Sequence, residues 1–312
     1  MKQQRIIFLG TPDFAVPSLE MLYHSTHNIV SVITQPDRPK GRGKKLESSP
    51  IKKKALELGL NILQPKSINS PECIEQIQSL HPDFLIVVAF GQLLKKPLLN
   101  IASRGVLNVH PSLLPKYRGP APIQWSIIHG CEQSGVSIMK LDEGLDTGDI
   151  LQVQMISIQP DETAGMLHQR LSKTGAILLV NTIEKIVNQS VTPMPQDHSL
   201  ATYAPILSKK DGLIQWQQPT TSIINFIRGM NPWPGAFTFI DNKRFKIFRA
   251  ENIDGIEQQP PGTVLDAFPG ELWIATEDGC LSILEIQSAS GKRLAIENFL
   301  RGNTIAPGTI LS

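Results

Sequence analysis

Apolar positions in the first 190 residues follow two alternating patterns, and each pattern predicts one kind of element. Short runs rich in β-branched residues predict strands, and residues 84–90 are apolar throughout, as in a strand buried on both faces. Segments with apolar residues three or four apart predict helices between them. The predicted strands cover residues 5–9, 29–34, 84–90, 106–109, 136–141 and 150–158, and the predicted helices cover 14–23, 51–58, 71–80, 122–129 and 163–187. This order predicts an α/β domain with a mainly parallel sheet, whose ligands bind at the carboxyl ends of the strands.

The alternation stops after residue 188. Residues 189–207 contain three prolines and no period, so we predict a linker there. The rest of the chain holds short apolar runs spaced like the strands of a small antiparallel barrel, at 236–240, 245–250, 263–266, 272–276 and 281–287. We therefore expect a Rossmann-like catalytic domain over residues 1–188 and an OB-like β-barrel domain over residues 208–312.

Composition adds limits on the class of protein. A chain of 312 residues with 41% hydrophobic and 19% charged residues is typical of a globular protein with about two domains. Its formal charge of +2 argues against a uniformly basic surface that coats nucleic acid or membrane. The three cysteines form no CxxC pair, and the first apolar run has only four residues, too few for a signal peptide or a membrane span. We expect a cytoplasmic protein with reduced thiols.

Two polar residues stand at the end of the predicted strand 106–109. Asn108 and His110 are two positions apart and share one face of an extended chain, and Pro111 biases His110 toward that extended conformation. An amide N–H can stabilise a developing oxyanion and an imidazole can transfer protons near neutral pH, so the pair suits acyl transfer. The alternative is a structural turn that Asn108 caps and His110 fills. Their place at the end of a buried strand favours function.

An acidic loop follows the next predicted strand. Gly144 and Gly148 give its backbone freedom, so Asp146 between them can reach the edge of the sheet where His110 lies. A carboxylate near an imidazole favours the protonated ring and fixes its tautomer. The alternatives are a solvated turn and a calcium site, and the ligand spacing of an EF-hand loop is absent.

Three segments together resemble the 10-formyltetrahydrofolate-dependent formyltransferases, and the resemblance extends over essentially the whole chain. They are FLGTPDF at 8–14, NVHPSLLPKYRG at 108–119 and LDEGLDTG at 141–148. The resemblance implies formyl transfer from 10-formyltetrahydrofolate, with Asn108, His110 and Asp146 as catalytic residues and no metal. It also implies that the folate is held by Phe90, Gly91, Ser112, Leu113, Leu114, Pro115, Leu141, Asp142 and Gly144.

A strongly basic segment lies at residues 38–54. It carries eight basic residues and one acidic residue, a balance of +7, and it is expected to project as a loop with a flexible tip at Gly41 and Gly43. Such a run is usually a solvated face, but beside an acyl-transfer site it suggests contact with a phosphate backbone. Members of the family that act on methionyl-initiator-tRNA have a similar loop, which implies that Arg42, Lys44 and Lys45 bind tRNA.

The barrel supplies a second set of candidate tRNA contacts. The basic candidates are Lys209 and Lys210 at its start, and Lys243, Arg244, Lys246 and Arg249, which fall within seven residues. Trp216, Trp233 and Phe237 are able to stack on bases, although packing inside the protein is the favoured interpretation.

Three functions remain open at this stage. We expect formylation of the α-amino group of methionyl-initiator-tRNA, for translation initiation, by a monomer. The alternatives are a sugar-nucleotide amine formyltransferase with the same folate donor, and a tRNA-binding protein without catalysis. The basic segment favours tRNA over a sugar nucleotide, and the intact set Asn108, His110 and Asp146 argues against a protein without catalysis.

Overall fold

The computed structural model describes residues 3–40, 45–254 and 259–312. The chain forms two compact units. The first comprises Met1–Gly119, Ser134–Ile156 and His168–Ala204, and the second comprises Pro120–Gln133, Ser157–Leu167 and Pro205–Ser312. The second unit thus includes two short segments from the first 188 residues, and the first unit includes most of the segment predicted as a linker.

Up to residue 187 the elements alternate much as the sequence predicts. The strands are β1 (Arg5–Gly10), β2 (Asn28–Ile33), β3 (Arg38–Lys40), β4 (Lys45–Glu47), β5 (Ile62–Leu63), β6 (Phe84–Val88), β7 (Gly105–His110), β8 (Gln133–Lys140) and β9 (Ile150–Ser157). The helices are α1 (Val16–Tyr23), α2 (Pro50–Glu57), α3 (Pro71–Ser79), α4 (Lys96–Leu99), α5 (Pro122–Ile128) and α6 (Ala164–Val187).

Seven of these strands form one sheet in the order β5-β2-β1-β6-β7-β8-β9. Strands β5, β2, β1, β6 and β7 are parallel, whereas β8 runs antiparallel to β7. All five residues of β6 are buried, as the uniformly apolar run predicts. The chain first builds outward from β1 to β5 and then returns to place β6 on the other side of β1. The predicted Rossmann-like α/β class is confirmed, and the order reverses between β1 and β6, where such folds bind ligands.

The basic segment differs from the expected loop. Strands β3 and β4 pair antiparallel, with Arg38 opposite Glu47 and Lys40 opposite Lys45. The last three lysines of the segment belong to helix α2, which begins where the Ser49 side chain accepts a hydrogen bond from the Lys52 backbone N–H, with Pro50 as its first residue. The segment predicted as a loop therefore consists of a short hairpin and the start of a helix, and its expected tip at Gly41 and Gly43 lies outside the described residues.

The second unit contains a curled antiparallel sheet, which confirms the predicted small barrel class. Its strands are β10 (Ala236–Ile240), β11 (Lys243–Ile253), β12 (Trp273–Ala275), β13 (Cys280–Ser288) and β14 (Leu294–Ala295), and its helices are α7 (Thr220–Met230) and α8 (Ile296–Leu300). The order is β10-β11-β13-β12, with β14 on β13. The predicted strand 263–266 is wrong, since Thr263 and Val264 make only isolated bridges.

Helix α7 was not predicted, although its pattern was available. Ile223, Ile227 and Met230 are spaced three or four residues apart and are buried against the barrel core. Across the ranges that the structure describes, no helix has both the length and the apolar character that crossing a membrane requires.

Candidate active site

The structure brings Asn108, His110 and Asp146 together. Asn108 and His110 alternate along β7 and face the loop that follows β8. The Asn108 Nδ2 lies 3.5 Å from Asp146 Oδ1, and the His110 Nδ1 lies 3.6 Å from Asp146 Oδ2. The side chains of His110 and Asp146 are only 5% and 12% exposed, so little bulk water screens their interaction.

The imidazole of His110 is oriented by a second contact. Its Nε2 lies 2.9 Å from the backbone carbonyl oxygen of Tyr117. Because a carbonyl oxygen only accepts hydrogen bonds, this contact requires the proton on Nε2. When the ring is neutral, Nδ1 therefore carries the lone pair, and Nδ1 is the nitrogen beside Asp146.

The carboxylate of Asp146 is also held by a backbone N–H group. Its Oδ2 accepts a hydrogen bond of 2.8 Å from the backbone N–H of Gly119. The backbone of Asp146 has φ of +52°, in the left-handed region that residues other than glycine seldom adopt. Nearby, a Cβ on Gly148 would lie 1.9 Å from the carbonyl oxygen of Lys140, so only glycine fits there. Gly144 and Gly148 were expected to give the loop backbone conformational freedom. Gly148 also permits the loop to pass close to the Lys140 carbonyl oxygen.

Sequence reasoning missed a group of residues behind this loop. Arg118 is 2% exposed and donates to the side chain of Gln196, which in turn donates to the backbone of the Asp146 loop. Arg118 lies inside the recognised motif, so its position was a usable signal. Gln196 lies in the proline-rich segment predicted as a linker, where no local pattern marks it.

Two loops implied for the folate, after β6 and after β8, come close to each other. Gly91, after β6, has φ of +87° and open space where a Cβ would stand, so the backbone there is accessible to a flat ring. Leu93 in the same loop is 73% exposed, and Leu145 in the Asp146 loop is 47% exposed. An ion pair of 3.5 Å between Lys96 and Glu143 links the start of α4, directly after the first loop, to the second loop. Exposed apolar side chains beside open backbone suit a pterin ring.

The other residues implied for the folate differ in burial and in their hydrogen bonds. Phe90 is 2% exposed and packs in the core with Leu141, while Asp142 caps its own loop through Gly144 and Thr147. Ser112 and Leu114 are buried, and both hydrogen-bond to groups of the protein. Leu113 and Pro115 are partly exposed. Ser112 and Leu114 would therefore shape the site from beneath.

A cavity of about 400 Å³ opens at the switch point between β1 and β6. It is bounded by the ends of β1 and β6 and by the β3–β4 hairpin. The Thr11 hydroxyl donates to the carbonyl oxygen of Phe90 across the two strand ends. Other lining residues are Pro12, Gln35, Arg38, Ser48 and Gly91.

The candidate tRNA contacts of the hairpin are only partly described. Arg42 and Lys44 lie outside the described residues, and Lys45 is described only as the backbone of β4. The three lysines on α2 are engaged in ion pairs. Lys52 binds Asp37 at 2.7 Å, Lys53 binds Glu47 at 3.2 Å, and Lys54 binds Glu20 at 2.9 Å. The hydrogen bond from Lys52, followed by that from Gln64, lowers the pKa of Asp37.

These ion pairs change the estimate of the charge available for RNA. Two of the acidic partners, Asp37 and Glu20, lie before the basic segment and were not in its balance of +7. The charge that helix α2 offers to a phosphate backbone is therefore lower than its three lysines imply.

The barrel candidates separate into exposed and buried residues. Lys209 and Lys210 are exposed in a turn that Asp211 closes. Trp216 is 1% exposed and donates its indole N–H to the Thr238 hydroxyl, so it is a core residue. Phe237 is also buried, under the guanidinium of Arg244. Trp233, in contrast, is 49% exposed.

Comparison with known proteins shows the class to which this fold and site belong. Residues 4–183 match the model of the formyl transferase family, and residues 206–304 match that of the formyl transferase C-terminal domain. The chain belongs to the formyl transferase family.

The chain is also similar to individual proteins over nearly its whole length. The chain is 48% identical over 310 residues to a methionyl-tRNA formyltransferase of Desulfotalea psychrophila, covering 99% of this chain and 96% of the relative. It is 44% identical to a methionyl-tRNA formyltransferase of Caldanaerobacter subterraneus, covering 98% and 99%. The fold is also that of an N-formyltransferase from Helicobacter canadensis solved with folinic acid and dTDP-3-aminofucose, with a TM-score of 0.66, 20% identity, and coverage of 94% and 100%.

Proposed function

We infer that this chain transfers the formyl group of 10-formyltetrahydrofolate to the α-amino group of methionyl-initiator-tRNA. The observation that carries the inference is the cluster of an amide, an imidazole and a carboxylate at the end of β7. The acceptor follows from relatives that are 44% to 48% identical over nearly the full chain and are methionyl-tRNA formyltransferases. The protein accordingly acts in translation initiation.

The three side chains have separate roles in this transfer. The folate supplies an amide-like formyl carbonyl, and the α-amine attacks its carbon. A side-chain amide carries two N–H groups, so Asn108 can donate one to Asp146 and the other to the formyl oxygen as charge develops there. The new bond joins the α-nitrogen to the formyl carbon, and the bond from that carbon to folate N10 breaks.

His110 transfers the proton, and Asp146 stabilises the charged ring that results. The lone pair on His110 Nδ1 accepts a proton from the attacking amine and returns one to folate N10. The Asp146 carboxylate, 3.6 Å from Nδ1, stabilises the imidazolium between these two steps. One proton thus leaves the amine and one arrives at N10, so the imidazole ends the cycle neutral.

The substrates approach this cluster from neighbouring strand ends. The loops around Gly91 and Leu145 would hold the pterin ring through exposed apolar surface and open backbone. The cavity at the β1–β6 switch point, lined by Thr11, Gln35 and Ser48 and bordered by the basic hairpin, would take the aminoacylated end of the tRNA. Exposed Lys209, Lys210 and Trp233 are candidate contacts for the remainder of the tRNA.

A salt series tests the tRNA acceptor. Replacing Arg42, Lys44 and Lys45 together by alanine is expected to reduce the slope of log K against log salt by about two to three, because three phosphate contacts are lost. The matched control replaces Lys52, Lys53 and Lys54 by alanine. It makes the same change in charge, but those ammonium groups pair with carboxylates, so the slope should change by less than about one. An unchanged slope in the first variant would refute the assignment of the hairpin.

A further inference from the structure

The proposed function, on which this inference rests, requires the Asp146 carboxylate to stay beside His110. Nothing in the local sequence enforces this, because Asp146 lies between two glycines in a loop. Its backbone has φ of +52°, which a non-glycine residue keeps only when surrounding contacts over-determine it. The residues that supply those contacts are therefore part of the machinery.

One side chain outside the loop, that of Gln196, hydrogen-bonds to the loop backbone on both sides of Thr147. The amide nitrogen of Gln196 donates to the carbonyl oxygen of Asp146 at 2.9 Å and to that of Gly148 at 2.7 Å. Both N–H groups of this amide are therefore used, and Gln196 is only 7% exposed. An amide with two fixed acceptors sets the separation and the direction of these two carbonyl groups.

Arg118 orients that amide. Its Nε and Nη2 donate to Gln196 Oε1 at 3.1 and 2.7 Å, and its Nη2 also lies 3.1 Å from His198 Nδ1. Hydrogen bonds from a charged donor are stronger than those between neutral groups. The forked guanidinium prevents a flip of the amide, because a flip would place the NH2 group against it and the oxygen against two carbonyl oxygens.

The segment that carries Gln196 is anchored to the site at both ends. Ile150 and Met194 exchange two backbone hydrogen bonds of 2.8 Å. Arg118 N–H donates to the Thr202 carbonyl oxygen at 2.8 Å, and Ala204 N–H donates to the Arg118 carbonyl oxygen at 2.7 Å. Residues 194–204 therefore form a strap across the Asp146 loop.

We propose that Gln196 and Arg118 are positioning residues that lock the Asp146 backbone and so aim its carboxylate at His110 and Asn108. The same strap also holds the residue that binds this carboxylate. Gly119, the residue after Arg118, donates its N–H to Asp146 Oδ2, and a Cβ on Gly119 would lie 3.0 Å from the Ala204 carbonyl oxygen. One buried arginine thus controls both the backbone and the carboxylate of Asp146.

Gln196→Glu separates this role from simple packing. The carboxylate keeps the shape of glutamine and makes an ion pair with Arg118, so the buried guanidinium stays satisfied. It has no N–H to donate, and it repels the carbonyl oxygens of Asp146 and Gly148. The matched control is Gln217→Glu, which makes the same change at an exposed glutamine.

Two readouts are expected to move together in Gln196→Glu. The kcat for formyl transfer should fall by about 10- to 100-fold with KM for 10-formyltetrahydrofolate within about threefold, because a displacement near 1 Å at a reacting group costs about 10²-fold. Amide hydrogen exchange at Gly119, followed by NMR, should accelerate at least about tenfold, because its acceptor Asp146 Oδ2 is released. Gln217→Glu should change neither.

Amide exchange at Gly119 is measured on the protein alone, so it tests the positioning role whichever acceptor the protein uses. If the wild-type chain does not formylate methionyl-tRNA, the proposed function fails, while Gly119 exchange still decides the positioning role. Unchanged Gly119 exchange or unchanged kcat in folded Gln196→Glu would overturn the proposal. Arg118→Lys is the second variant, since an ammonium cannot make the forked contact, and it should give the same paired change at smaller amplitude. If Gln196→Glu does not fold, the same two criteria apply to Arg118→Lys.

Discussion

Asn108→Ala is expected to lower kcat by about 10²- to 10³-fold, with KM for 10-formyltetrahydrofolate changed by less than about threefold. The reason is that, in the proposed mechanism, the Asn108 amide donates to the formyl oxygen most strongly when negative charge develops there. The loops proposed to hold the pterin are other parts of the chain, and this substitution leaves them in place. Steady-state kinetics with each substrate varied in turn give both numbers.

The control for this variant is Asn188→Ala. Asn188 is exposed after helix α6, so its kcat should equal that of the unmodified chain. A kcat within about threefold of the unmodified value for Asn108→Ala would remove Asn108 from the stabilisation of the oxyanion.

His110→Gln is expected to lower kcat by about 10²- to 10⁴-fold, the usual contribution of a positioned acid or base. Glutamine fills the buried site and can donate to the Tyr117 carbonyl oxygen, but it cannot accept and release a proton. Steady-state kinetics of formyl transfer check this expectation.

His24→Gln provides the matched comparison. His24 is exposed at the end of α1, and its replacement should leave kcat as it is. A kcat for His110→Gln within about threefold of the unmodified value would exclude the imidazole as the proton carrier.

The class of fold follows from the sequence because local patterns determine it. The uniformly apolar residues of β6 are a signal within a few residues, and the structure buries them as expected. The serine and proline at the start of α2 are local signals of the same kind. Asn108 and His110 could also be placed together, because alternation along a strand fixes their common face.

Features that depend on distant partners could not be predicted. The lysines of α2 looked available for RNA because Asp37 and Glu20, which pair with Lys52 and Lys54, lie outside the basic run. Gln196 meets the Asp146 loop about 50 residues away in sequence, through a proline-rich segment without periodicity. Hydrogen bonds of this kind leave no local signal, so only the folded chain reveals them.

The most direct test of the account is a single-turnover reaction with 10-formyltetrahydrofolate labelled in the formyl group. Charged initiator methionyl-tRNA is the acceptor, with uncharged initiator tRNA and a UDP-amino sugar offered separately. The account predicts that label appears on the α-nitrogen of methionine, and that Asn108→Ala slows its appearance by about 10²-fold or more. Label transferred to the amino sugar but not to methionyl-tRNA would contradict it.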